Sequence, residues 1–187
     1  IGITHRADDG ITSADVDNDG DLDLLLARDD SGTLYRNNGN GTFTFTQNFT
    51  ATNGYMGGFA DLDNDGDLDV IMYSLNEPVR IYQNDGAAPR VAVRLKGMSP
   101  NTRGIGAKIT VRGGVVPVQR QEMMSGGRYL GGDDNVRGFA AGPKTTGLAI
   151  EVLWRNGKTS TLTNLAANRI YEINEAGAHN SAPMTDK

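Results

Sequence analysis

The chain has 187 residues and no cysteine, with 18 Lys plus Arg against 23 Asp plus Glu. That length holds one ordinary domain or two small ones, and the missing thiols exclude disulfides and thiolate chemistry. A net charge of −5 without any basic stripe excludes a nucleic-acid partner, and no apolar run approaches the roughly 18 residues of a membrane span.

The chain opens at Ile1 without a methionine or a signal-like segment, as expected of a processed product or a piece of something longer. The first predicted unit carries an acidic loop, "ADVDNDGDLDL" (14–24), and the strand patterns "LDLLLAR" (22–28), "TLYRN" (33–37) and "TFTFTQN" (42–48). A second acidic loop, "ADLDNDGDLDV" (60–70), leads into "LDVIMYS" (68–74) and "VRIYQN" (79–84). Aligning Asp15 with Asp61 also brings "GTLYRNNGNG" (32–41) opposite "VRIYQNDGAA" (79–88), so the chain contains a repeat. Each unit reads as strand, acidic loop, strand, turn, strand, and the first adds a fourth strand. That is the size and order of a propeller blade.

The pattern changes at "AAP" (87–89). Beyond it come "RVAVRLKG" (90–97), "AKITVRG" (107–113), "VPVQRQEM" (116–123), "LAIEVLWR" (148–155), "STLTNL" (160–165) and "RIYEINE" (169–175), all alternating as strands. No stretch carries a helical period, and "TNLAAN" (163–168) reads as a loop. The last residues are small and polar, a tail without the means to pack on its own. The expected organisation is all-β, with two blade-like antiparallel repeats over 1–88, a second β domain over 89–175 and a polar tail over 176–187.

Asp15, Asp17, Asp19, Asp21, Asp23 and Asp61, Asp63, Asp65, Asp67, Asp69 are ten of the 23 acidic residues. Asp at positions 1, 3 and 5, Gly at 6 and Asp at 9 is the spacing of a calcium loop, because a hard cation takes six to eight oxygens. Gly20 and Gly66 stand where the chain turns sharply. Asp15, Asp17 and Asp19 would offer side-chain oxygens, Asp21 its backbone carbonyl and Asp23 a closing carboxylate. Asp61 to Asp69 repeat those roles. An EF-hand needs Glu at position 12 and flanking helices, but Leu26 and Met72 occupy that position and the flanks are strands. Two structural calcium sites are expected, one per repeat, each cross-linking strands that five like charges would otherwise push apart.

With the loops and "LYRNNGNGTF" (34–43) in view, the first half resembles the FG-GAP/VCBS repeats of integrin-like β-propellers. The second half resembles the ASPIC/UnbV domain through "NTRGIGAKITV" (101–111), "SGGRYLGGDD" (125–134), "EVLWRNGK" (151–158) and "LAANRIYEI" (165–173). The resemblance implies a β-sandwich-like second domain in a secreted or cell-surface, calcium-dependent, non-catalytic module. Where the family has Phe-Gly-Leu-Gly and Trp-Pro-Ser-Gly, this chain has "GFAAG" (138–142) and "WRNG" (154–157), so no ligand read by those turns is carried over.

Two blades leave sheet edges open, whereas propellers close with about four or more. Three resolutions stand open: a longer propeller, coverage of the edge by "RVAVRLKG", or pairing with other copies of the chain into an oligomer or fibre, with the polar tail docked on a neighbour. Self-assembly is the favoured expectation; the alternative is a piece of a larger secreted propeller for adhesion or for protein or carbohydrate binding. Hydrolase chemistry is disfavoured, since His5 and His179 both lie near the termini. "GGVVP" (113–117) and "SGGRYLGG" (125–132) lack the strand-to-helix setting of a phosphate loop and read as hairpins. Asn40 and Asn48 each begin a glycosylation acceptor pattern, and Trp154, Tyr129 and Tyr171 are candidates for a sugar-stacking platform.

Overall fold

The computed structural model describes residues 1–7, 10–50, 54–128, 131–143, 146–177 and 179–183, and every regular element among them is a strand. The first blade is a four-stranded antiparallel sheet in chain order: β1 (Gly10–Ala14), β2 (Asp23–Ala27), β3 (Ser31–Asn37) and β4 (Phe43–Thr50). The second has three strands, β5 (Gly54–Ala60), β6 (Asp69–Ser74) and β7 (Arg80–Tyr82). The acidic loops connect β1 to β2 and β5 to β6, in matching registers that pair Ala14 with Asp23 and Ala60 with Asp69.

The two blades share one core of Ala14, Val16, Leu25, Leu34, Phe49, Val70 and Met72. They approach closely because β5 carries Gly57: a Cβ there would stand 2.5 Å from Leu25 Cδ2. At the same crossing the Thr12 hydroxyl donates to the Gly57 carbonyl at 2.9 Å. Farther out, Tyr82 and Arg80 of β7 donate to the Thr50 carbonyl at the end of β4.

The second domain is a sandwich. One sheet orders β10 (Val118–Glu122), β9 (Lys108–Arg112), β14 (Leu148–Leu153) and β15 (Thr159–Leu165). The facing sheet orders β13 (Val136–Ala140), β8 (Arg90–Lys96), β16 (Arg169–Asn174) and β17 (His179–Pro183). A short ribbon of β11 (Gly127–Arg128) and β12 (Gly131–Gly132) lies between β10 and β13 in sequence. Alternate residues of both sheets meet in the core: Val91, Val93, Phe139, Tyr171 and Ile173 from one, Ile109, Val111, Ile150, Val152 and Leu162 from the other. The pairing of β8 with β16 is parallel, unlike the other ladders.

Three expectations change. "RVAVRLKG" does not complete the second blade; as β8 it is taken on both sides by β13 and β16, so that blade stays three-stranded. "GFAAG" is not simply a turn, because 138–140 finish β13, whose Phe139 enters the core. Part of the polar segment after 175 forms β17 on β16; edge pairing needs backbone groups rather than apolar side chains, so composition did not announce it.

Candidate metal centre

Each acidic loop curls because its aspartates cap its own backbone. Asp15 accepts from the amides of Asp19 (3.1 Å) and Gly20 (2.9 Å), and Asp61 accepts from the amide of Gly66 at 3.1 Å. Asp19 and Asp65 accept in turn from the amides of Asp21 and Asp67. The tight curl needs positive φ at Gly20 (99°) and Gly66 (85°), as the spacing predicts. It also needs positive φ at Asn18 (56°) and Asn64 (62°). Asn is the residue after Gly that best tolerates this conformation. The recurrence of Asn at position 4 of both loops was the available signal.

The curl brings three carboxylates of each loop together. One oxygen from each of Asp15, Asp17 and Asp19 lies within 4.8 Å of the others, and the same holds for Asp61, Asp63 and Asp65. Asp17 Oδ1 and Asp61 Oδ1 are buried and receive no hydrogen bond among the described residues. Buried anionic oxygens without donors are costly on their own and fit a bound cation. Burial, helped by the charges of Asp19, Asp17 and Asp23, pushes the Asp15 carboxyl up to about 7 against the pull of the Gly20 amide. Burial likewise lifts Asp61 to about 6, with Asp63 and Asp134 adding repulsion. Both sites resist carrying their full charge unaided.

The remaining four predicted ligands are placed differently. Asp23 is fully buried and accepts from the amides of Val16 (2.9 Å) and Asn37 (2.8 Å); Asp69 does the same from Leu62 (3.0 Å) and Asn84 (2.9 Å). These two carboxylates tie each loop to the end of the second strand beyond it, β3 in one blade and β7 in the other. Asp21 and Asp67, at the positions expected to offer backbone carbonyls, also lie outside the converging triads.

Cationic neighbours distinguish the loops. In the first, Arg36 of the same blade lies 2.6 Å from Asp17 and is half exposed. In the second, Gln83 donates to Asp63 at 2.7 Å, and Arg90 enters from the second domain. Arg90 is buried, donates from Nε and Nη2 to the Asp65 carbonyl (2.9 and 2.6 Å), and sits 3.2 Å from Asp65 Oδ1 and 3.3 Å from Asp67 Oδ2. A lone Arg in a strand gives no sequence signal of this role.

Asn40 accepts from Thr42 within its own turn, while Asn48 lies exposed on β4 and accepts from Thr33 at 2.9 Å. Trp154 and Tyr171 form no sugar platform, because both are core residues of the sandwich. The Trp154 indole donates to Ser160 Oγ at 2.9 Å. Tyr129 and the His179 side chain lie outside what is described. His5 packs on Tyr35 with its Nδ1 2.5 Å from the phenol oxygen.

Residues 15–72 match the family of the FG-GAP-like repeat, a span that contains both acidic loops. Residues 97–180 match the family of ASPIC and UnbV. No match was found among curated proteins. Among solved structures, the chain is similar to a Bacteroides ovatus ATCC 8483 protein provisionally described as a cell adhesion protein, with 11% identity, 89% of this chain and 68% of that chain covered, and a TM-score of 0.29.

Proposed function

The chain joins an FG-GAP-like repeat to an ASPIC and UnbV domain, and on that premise we propose that it is a non-catalytic, extracellular, calcium-dependent structural module. Asp15, Asp17 and Asp19 would hold one ion and Asp61, Asp63 and Asp65 the other. Bound calcium supplies positive charge and a rigid cross-link between the paired strands. The observation that carries this reading is the convergence of three carboxylates in each loop, with a buried oxygen in each cluster that accepts no hydrogen bond among the described residues. Calcium suits an all-carboxylate cage better than magnesium, which keeps its waters.

Titration calorimetry should count two calcium ions per chain. At a hundredfold excess over the dissociation constant each ion adds about 2.7 kcal/mol of stability. Asp17→Asn together with Asp61→Asn should remove most of that gain; identical melting in calcium and in chelator would sink the reading.

A second reading concerns association. β4 and β7 stand at sheet edges, with Phe45, Val79 and Ile81 exposed near them, and strands from other copies of the chain would pair there. Light scattering with and without chelator tests it. Multimers that fall apart in chelator support self-assembly. A monomer in both conditions turns the function towards a larger propeller protein that binds a protein or carbohydrate ligand.

A further inference from the structure

Building on the calcium reading above, we infer that Arg90 is a positioning residue that couples the second acidic loop, and not the first, to the docked second domain. Cation binding at 61–69 and docking of the sandwich then strengthen each other.

Along β8 the side chains alternate. Val91, Val93 and Leu95 point into the sandwich core, and Arg90, Ala92 and Arg94 face outward. That outward face lies against the second loop. Arg94 Nη2 donates to Asn64 Oδ1 at 3.1 Å, and on neighbouring β13 a Cβ at Gly138 would stand 3.7 Å from the Gly66 carbonyl. Arg90 occupies the centre at 6% exposure. Besides its bonds to Asp65, its Nη1 donates to the carbonyls of Gly86 (2.9 Å) and Ala88 (3.2 Å). One planar fork thus holds the loop, the connecting segment and the sandwich together, a geometry that a lysine ammonium cannot reproduce.

Among the described residues the first loop shows no such fork: Val116 packs where a Cβ on Gly20 would stand 2.3 Å away, Gln121 and Arg137 line a cleft beside Asp15, and Arg36, which pairs with Asp17, comes from the same blade.

The sign of the coupling follows from charge and order. A guanidinium beside a cation site would repel the ion, but Arg90 is balanced by Asp67, a carboxylate outside the converging triad. The pair leaves little net field at the site. What remains is orientation: Arg90 fixes both the backbone and one oxygen of Asp65, so the ion orders fewer groups when it binds. By linkage the ion then returns the same factor to docking.

The test uses the full chain and its single tryptophan, Trp154, which is buried in the sandwich and reports on that domain alone. In the wild type, calcium should raise the unfolding midpoint read by Trp154 fluorescence. In Arg90→Gln that shift should fall by at least half, and calorimetry should show one site weakened about tenfold while the other keeps its wild-type affinity. Arg90→Lys, which keeps the charge, should show the same loss and carries the test if the glutamine variant misfolds. An unchanged calcium shift in Arg90→Gln, equal weakening of both sites, or wild-type coupling in Arg90→Lys would overturn the inference. Absence of calcium binding by the wild type would instead remove the reading on which it is built. Two bound ions with an indifferent Trp154 midpoint would remove the coupling alone.

Discussion

Nine of the ten aspartates at this spacing do three different jobs, and only the first is written in the spacing. Asp15, Asp17 and Asp19, with Asp61, Asp63 and Asp65, converge; Asp23 and Asp69 sink into the interior as acceptors for the turn amides; Asp67 pairs with Arg90. The second and third jobs depend on partners distant in the chain, Asn37, Asn84 and Arg90, which no local pattern names. The raised carboxyls give a pH signature. Because Asp15 titrates near 7 and Asp61 near 6 in the fold, against a usual value of 3.8, the calcium-depleted fold binds protons more tightly than the unfolded chain. Their contribution is fully present below the unfolded value and is lost as pH rises through about 6 to 7. Calcium-depleted protein should therefore melt higher at pH 5 than at pH 8. Calcium must displace those protons, so its apparent affinity should fall below about pH 7. Circular-dichroism melts and calorimetric titrations across pH 5 to 8 check both slopes.

At the scale of elements, the alternation of apolar and polar residues located the hairpins well, because most strands have one buried and one open face. It failed where a strand is short of side chains. β5 reads "GYMGGFA", and its Gly57 serves the approach of the first blade rather than a turn. β13 is likewise hidden because its small residues Gly138 and Ala140 weaken the alternation; a Cβ at Gly138 would stand 3.7 Å from the Gly66 carbonyl. Gly57→Val tests the first case. Its branched side chain must displace Leu25, so stability should drop by about 1 to 3 kcal/mol, seen as a lower urea midpoint with little change in calcium stoichiometry. Substitution at Gly58 on the same strand, where a Cβ meets nothing within 4 Å, is the matched control.

Taken whole, the molecule is two blades with a sandwich seated on their acidic loops, and this seating was not legible in the sequence. That the strand β8 faces back onto 61–69 depends on which of its sides carries Arg90 and Arg94. The polar terminus was expected to reach a neighbouring copy, whereas 179–183 pair with β16 of the same chain. Deleting 179–187 should therefore uncover the β16 edge, lower the Trp154 midpoint and increase association in light scattering. Weaker association after the deletion would restore the tail as a link between copies. The parallel ladder of β8 with β16 also bears on how the polypeptide is made. β8 emerges first among the strands of its domain, yet its second neighbour is not complete until Asn174 has been synthesised. The blades can finish folding while β8, rich in valine and leucine, still waits for a mate. A polypeptide stopped between β8 and β16 thus leaves the ribosome with its acidic half finished and a hydrophobic strand exposed, a natural substrate for chaperones and proteases.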